Sequence, residues 1–265
     1  PAYTTNTGDD HLHVAENSGA KGAIVSTSKL AKNFLPAAHR ADDMDFVITM
    51  EAPDISQHLS VNLHLWGDVL ADGAAGTFDV AADAGRWRRG DTACIIYTSG
   101  TGGAPKGVML HHGAILHNCW GAADALRELE LGDEVFLSFL PLSHSYEHTA
   151  GQFFPLSIGA QIYYAEGIET LGADMAQAKP TIMTAVPRLY EMLHARITRG
   201  LKSKGGLSQK LFDKALDLGT RRYHDPGALG LGERAMNTVL DALVRSKVRG
   251  RFGGRLKALV SGGAP

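Results

Sequence analysis

Cysteine is scarce here: Cys94 and Cys119 are the only two in 265 residues, too few for the disulfide framework of a small secreted domain. Cys94 sits in an apolar run and Cys119 in a helical pattern, so both read as small core residues, and a reducing, cytoplasmic setting is expected. Neither charge is in excess. The formal charge of -2 leaves no electrostatic footprint for nucleic acid. No stretch reaches the length of a membrane span, and the opening Pro1 to Thr7 has neither the charged start nor the apolar core of a leader. What remains, 44% hydrophobic and 20% charged, is ordinary for a globular α/β chain.

Apolar periodicity alternates between the two regular types. Helical spacing over His11 to Ala20 precedes a strand at Ala23–Ser26; a helix over Ser28 to Ala38 precedes a strand at Phe46–Met50; Trp66 to Leu70 reads as a short turn. Residues 72–91, rich in Gly, Ala and Asp and carrying Arg86, Arg88 and Arg89, read as a solvated connection. Further on, helices are expected over Gly113 to Leu129, Thr149 to Ile158, Leu171 to Ala178, Pro187 to Arg196, 207–222 and 230–247. Strands are expected over Val135 to Leu140, Gln161 to Ala165, Thr181 to Ala185 and Leu256 to Val260. Such alternation predicts parallel or mixed sheets covered by helices. The run 245–255 is locally basic and reads as a solvated face.

Two stretches carry chemistry. In the first, Ile95-Ile96-Tyr97-Thr98 feeds Ser99-Gly100-Thr101-Gly102-Gly103-Ala104-Pro105-Lys106, a strand running into a loop of small and hydroxyl residues closed by a cation. Small residues let backbone N–H groups converge on an oxyanion, the hydroxyls add donors, and Lys supplies a point charge. The loop suits a polyphosphate. It is not a Walker loop, because no hydroxyl follows Lys106, and the dinucleotide spacing fails at Pro105. The second stretch, Phe136 to His148, is a strand stopped by Pro141, so Ser143, His144, Tyr146 and Glu147 belong to a turn at a strand's end, where open α/β sheets place ligands. His144, Glu147 and His148 also spell H-x-x-E-H, the inverted zinc-hydrolase signature, which needs both His on one helical face with Glu as base and a third ligand elsewhere.

The first stretch resembles the Y-T-S-G-T-T-G-x-P-K-G signature of AMP-forming acyl-CoA synthetases, the adenylate-forming superfamily, with Gly102 where that family usually has Thr or Ser. Leu140-Pro141-Leu142-Ser143-His144 resembles its L-P-L-x-H motif in the long-chain fatty acyl branch. Pro180 to Arg188 resembles P-T-x-x-x-x-V-P-R, and Ser261 to Pro265 resembles the S-G-G-A-P loop that lies against adenine. The resemblance implies a partial N-terminal AMP-binding domain over 1–265, made of a first α/β segment 1–71, the connection 72–91, and a phosphate-loop and acyl-pocket segment 92–265, without the C-terminal domain. It implies an internal fragment with little activity alone.

By the same resemblance, the parent protein joins a long-chain fatty acid to coenzyme A with ATP and Mg²⁺. Lys106 and His144 would serve catalysis. Thr98, Ser99, Gly100, Thr101, Gly102, Gly103, Lys106, Gly262, Gly263, Ala264 and Pro265 would bind nucleotide. Thr98 and Thr101 would face the metal, and Tyr146 and His148 would line the acyl pocket. Peripheral membrane association of the parent is compatible with this reading. Two other readings stand beside it: a degenerate nucleotide- or acyl-binding module without chemistry, and the zinc hydrolase.

Overall fold

The computed structural model describes residues 1–55, 58–98, 104–202 and 205–262, and the chain divides into two compact units, Pro1–His117 and Asn118–Pro265.

In the first unit, helix α1 (Gly8–Ser18) opens on a capping box in which Thr7 and Asp10 satisfy each other's backbone donors, and it closes on Gly19 in the left-handed conformation. Only a residue without Cβ takes that position without cost. Three parallel strands follow, β1 (Gly22–Val25), β2 (Phe46–Thr49) and β3 (Asn62–Leu65), with α2 (Ser28–Arg40) crossing between the first two. Leu35, Ala31 and Ala38 of α2 pack with Ala15, Val25 and Val47 into one core. β3 falls where the sequence pattern is mixed, because all four of its residues remain exposed and none has to be apolar. After β3 come α3 (Trp66–Ala74) and the short α4 (Val80–Ala84), neither with a buried residue.

β4 (Thr92–Thr98) and β5 (Lys106–His111) form a separate antiparallel hairpin, with Thr98 opposite Lys106 and Tyr97 opposite Gly107. β5 leaves Val108 and Met109 exposed, so no strict alternation of buried and exposed residues marks it as a strand. β5 runs directly into α5 (His112–Ala125).

The second unit is built on a parallel sheet of β6 (Val135–Ser138), β7 (Gln161–Tyr164), β8 (Ile182–Ala185) and β9 (Ala258–Ser261), in the order β7-β6-β8-β9. β6 and β8 are buried at every position, which is why both read as continuous apolar runs. Helix α8 (Leu171–Ala178) packs Leu171 and Met175 onto Leu137 and Met183. After α9 (Pro187–Lys202), a second cluster, Ala215, Leu218, Leu229 and Leu240, joins α10 (Gly206–His224) and α11 (Leu231–Leu240). The expected helix 230–247 is broken by a π-turn at Asp241–Arg245 before α12 (Ser246–Arg251). A second π-turn, His148–Phe153, replaces the first part of the helix expected from Thr149, between α6 (Ser145–Glu147) and α7 (Phe154–Ser157).

One buried ion pair ties the sheet together. Glu134, with a fully buried side chain just before β6, receives Lys257 Nζ at 2.6 Å from just before β9. The Thr181 hydroxyl, which accepts from Val135 N at 2.9 Å, sits beside the same carboxylate.

Candidate functional site

The hairpin holds the stems of the Gly/Ser/Thr loop. Thr98 ends β4 and Lys106 begins β5 as a cross-strand pair, both exposed, so a hydroxyl and an ammonium flank the loop's mouth. Gly107 is required where it stands: a Cβ there would come within 2.8 Å of Ile95 Cγ2 and 3.1 Å of the Tyr97 ring. The Thr98 hydroxyl oxygen is a hard ligand that suits magnesium and not a soft metal, while the Lys106 ammonium suits phosphate. Ser99, Gly100, Thr101, Gly102 and Gly103 lie outside the described residues.

In the second unit, the sheet order puts β7 and β8 on opposite sides of β6, so the order in which strands are added reverses at β6 while all run parallel. The crevice at the carboxyl ends of such strands is where open α/β sheets bind ligands. Pro141 stops β6 short of it, and the turn that follows presents His144 as the N-cap of α6. His144 Nδ1 accepts from Tyr146 N at 3.2 Å, so the ring's hydrogen resides on Nε2, which leaves an exposed ring with a donor. Tyr146 donates its hydroxyl to Val260 O of β9 at 2.6 Å. Its ring lies against Gly262, where a Cβ would approach Cε2 to 2.6 Å. The strand ends of β6 and β9 are thus joined through Tyr146, and Gly262 leaves a flat backbone surface over an aromatic face. Gly263, Ala264 and Pro265 lie outside the described residues.

Glu147 turns inward. Its side chain is completely buried, Oε1 accepts from Ser138 Oγ at 2.5 Å, and Oε2 has no hydrogen-bond partner among the described residues. Burial pushes this carboxyl above its ordinary range, against a weaker downward pull from the Ser138 and Thr184 hydroxyls. His148 is also buried, its ring 4.7 Å from that of Phe153, and burial lowers its pKa. The three residues of the H-x-x-E-H pattern therefore do not converge. One caps a helix from outside and two face the interior, and among the described residues no three His, Cys, Asp or Glu could hold a metal together.

Sequence reasoning missed two features. One is the burial of Glu147, whose carboxyl packs against Ser138 and Gly151. The other is a set of α1 side chains at the loop's stems: His13 Nε2 lies 2.8 Å from Pro105 O, and Tyr97 donates its hydroxyl to Asn17 Oδ1 at 2.8 Å. The spacing of His13 and Asn17, one helical turn apart, is the signal that could have found them.

The model of the family described as AMP-binding enzyme matches residues 1–265. Long chain acyl-CoA synthetase 4 of Arabidopsis thaliana is 27% identical over 276 residues, covering 100% of this chain and 40% of the plant protein. The peroxisomal long chain acyl-CoA synthetase 6 of the same plant is 35% identical over 176 residues, 66% of this chain and 24% of that protein. The chain thus spans between a quarter and two-fifths of the curated relatives it matches. The A domain of the carboxylic acid reductase from Segniliparus rugosus, solved with AMP and a co-purified carboxylic acid, superposes with a TM-score of 0.62 at 20% identity, covering 100% of this chain and 40% of that one.

Proposed function

The chain belongs to the AMP-binding enzyme family, and on that premise we propose that it carries the nucleotide loop and acyl-pocket segment of an AMP-forming ligase that activates a long-chain fatty acid and passes it to coenzyme A. The observation that supports this best is the pairing of Thr98 with Lys106 across the hairpin, which brings a hydroxyl and a fixed cation to the two ends of one phosphate-suited loop.

In the proposed first step a fatty carboxylate oxygen attacks the α-phosphorus of ATP, the bond to pyrophosphate breaks, and acyl-adenylate forms. Negative charge grows on the phosphate oxygens; the Lys106 ammonium and the Thr98 hydroxyl at the stems would stabilise it, joined by the hydroxyls of Ser99 and Thr101. When bound, magnesium would further neutralise the phosphates, with Thr98 and Thr101 as the residues that would help to hold it. His144 donates from Nε2 to the carboxylate being activated, steadying its charge and orientation without moving a proton. Tyr146 and His148 border the acyl chain, and Gly262 with Gly263, Ala264 and Pro265 accepts the adenine face. In the second step the coenzyme A thiol attacks the acyl carbon and AMP leaves, taking the bonding pair. A cytoplasmic setting goes with this reading on cysteine usage alone.

The test is ATP-dependent pyrophosphate release with a panel of fatty acids, on a protein of the relatives' length that carries this sequence. Long-chain acids should be used best, and Lys106→Ala should lower kcat/KM by about 10²- to 10³-fold with an unchanged melting temperature. No release dependent on fatty acid, or an unaffected Lys106→Ala, would overturn the reading.

A further inference from the structure

Helix α1 contributes no residue to any motif, yet three of its contacts end on the stems of the loop. His13 Nε2 is 2.8 Å from the carbonyl oxygen of Pro105, the residue before Lys106. A carbonyl can only accept, so Nε2 carries the hydrogen and donates. On the other stem, Tyr97, the residue before Thr98, donates its hydroxyl to Asn17 Oδ1 at 2.8 Å. The His13 and Tyr97 rings meet edge to face with centroids 6.1 Å apart, closing the two anchors into one cluster. His13 and Asn17 stand four residues apart on one stripe of the helix, while His11 and Ala15, on another stripe, are buried. One helix therefore serves the core with one face and both loop stems with the other.

We propose that α1 is a brace for the phosphate loop, with His13 and Asn17 as positioning residues that fix the distance between the Thr98 and Lys106 stems and so the affinity for a nucleoside triphosphate. The inference rests on the nucleotide reading of the loop. A loop that must present its amides and a lysine to one polyphosphate gains from stems already held at the bound separation, since ordering them on binding would cost affinity. Antiparallel pairing alone sets one stem against the other. The α1 contacts set both against a rigid third element. Gly107 completes the arrangement by leaving room for the Tyr97 ring that Asn17 holds.

The test measures KM for ATP and for fatty acid separately, by pyrophosphate release in a protein of the relatives' length, for His13→Ala, His13→Gln, Asn17→Ala and Lys106→Ala. His13→Ala and Asn17→Ala should each raise the ATP KM about 3- to 10-fold and leave the fatty acid KM unchanged. His13→Gln, which keeps an N–H donor near the same reach, should restore most of the loss. If His13→Ala lowers the melting temperature but leaves the ATP KM unmoved while Lys106→Ala abolishes turnover, α1 is packing only and the brace is refuted. If Lys106→Ala is also silent, the nucleotide reading fails, and the brace with it.

Discussion

Replacing Lys257 by Met isolates the energetics of the sheet in the second unit. The substitution keeps the length and apolar stem of the side chain and removes the ammonium that lies 2.6 Å from Glu134 Oε1. Glu134 is then left with no solvent access to its side chain and with the Thr181 hydroxyl and the Gly132 N–H, the latter at 3.1 Å, as its remaining donors. Breaking a fully buried pair in this way costs about 3–5 kcal/mol, but the Lys257 side chain is itself 40% exposed and water reaches the pair from that side. The carboxyl can also escape the penalty by taking up a proton. A loss of about 2–3 kcal/mol is therefore expected, which for a unit of this size lowers the melting temperature by about 4–12 °C. Burial pushes the Glu134 pKa up, but the Lys257, Thr181 and Gly132 contacts more than offset it and hold it below its ordinary 4.5. Its stabilising contribution is thus full above pH 4.5 and is lost as the pH falls through the lowered value. Thermal melts of wild type, Lys257→Met, Glu134→Gln and the double variant between pH 3 and 8 would read all of this. The double variant should recover part of the Lys257→Met loss, and Lys257→Met should show a shallower acid-side decline than wild type, the remainder coming from acids such as Glu233 and Asp241. A melting temperature within about 2 °C of wild type for Lys257→Met at pH 7 would refute the reasoning.

Glu147→Gln should melt higher than wild type at neutral pH, because burial disfavours the charged carboxylate; the gap should close as the pH falls towards 4.5, and a gap that widens there would contradict the assignment. Gly151→Ala should destabilise the second unit, since the new Cβ would lie 2.3 Å from Glu147 Oε1; urea titration would show it as a lower midpoint at unchanged slope. Tyr146→Phe removes the hydroxyl that reaches Val260 O and should cost about 1 kcal/mol in the same titration, with a greater effect on adenylation than on folding if Tyr146 borders the acyl site. Gly107→Ala should raise the ATP KM with little change in the fatty acid KM.

Much of this architecture was legible in the chain. α8 falls on Leu171–Ala178 as its apolar spacing indicates, and β6 and β8 announce themselves because burial on both faces demands an unbroken apolar run. Elements that tertiary context decides were not legible. β3 is exposed throughout and its alternation over Val61 to Leu65 is too short to stand out from the mixed residues before it, while Val108 and Met109 give β5 an apolar look without the alternation of a half-buried strand. The two π-turns escaped because a single inserted residue leaves composition unchanged while rotating every later side chain. Of the site, the turn after Pro141 and the stems at Thr98 and Lys106 were readable from strand ends and loop chemistry. The inward swing of Glu147 was not, because it sits among Ser145, Tyr146, His148 and Thr149, where the sequence suggests a base in a H-x-x-E-H pattern and only the tertiary packing buries it.

The separate hydrophobic clusters of the two units, one around Val47 and Leu35 and the other around Leu137 and Met183, bear on how this sequence can change over generations. A replacement that loosens one cluster draws on contacts that the other does not share, so the lesion is quarantined where it arises.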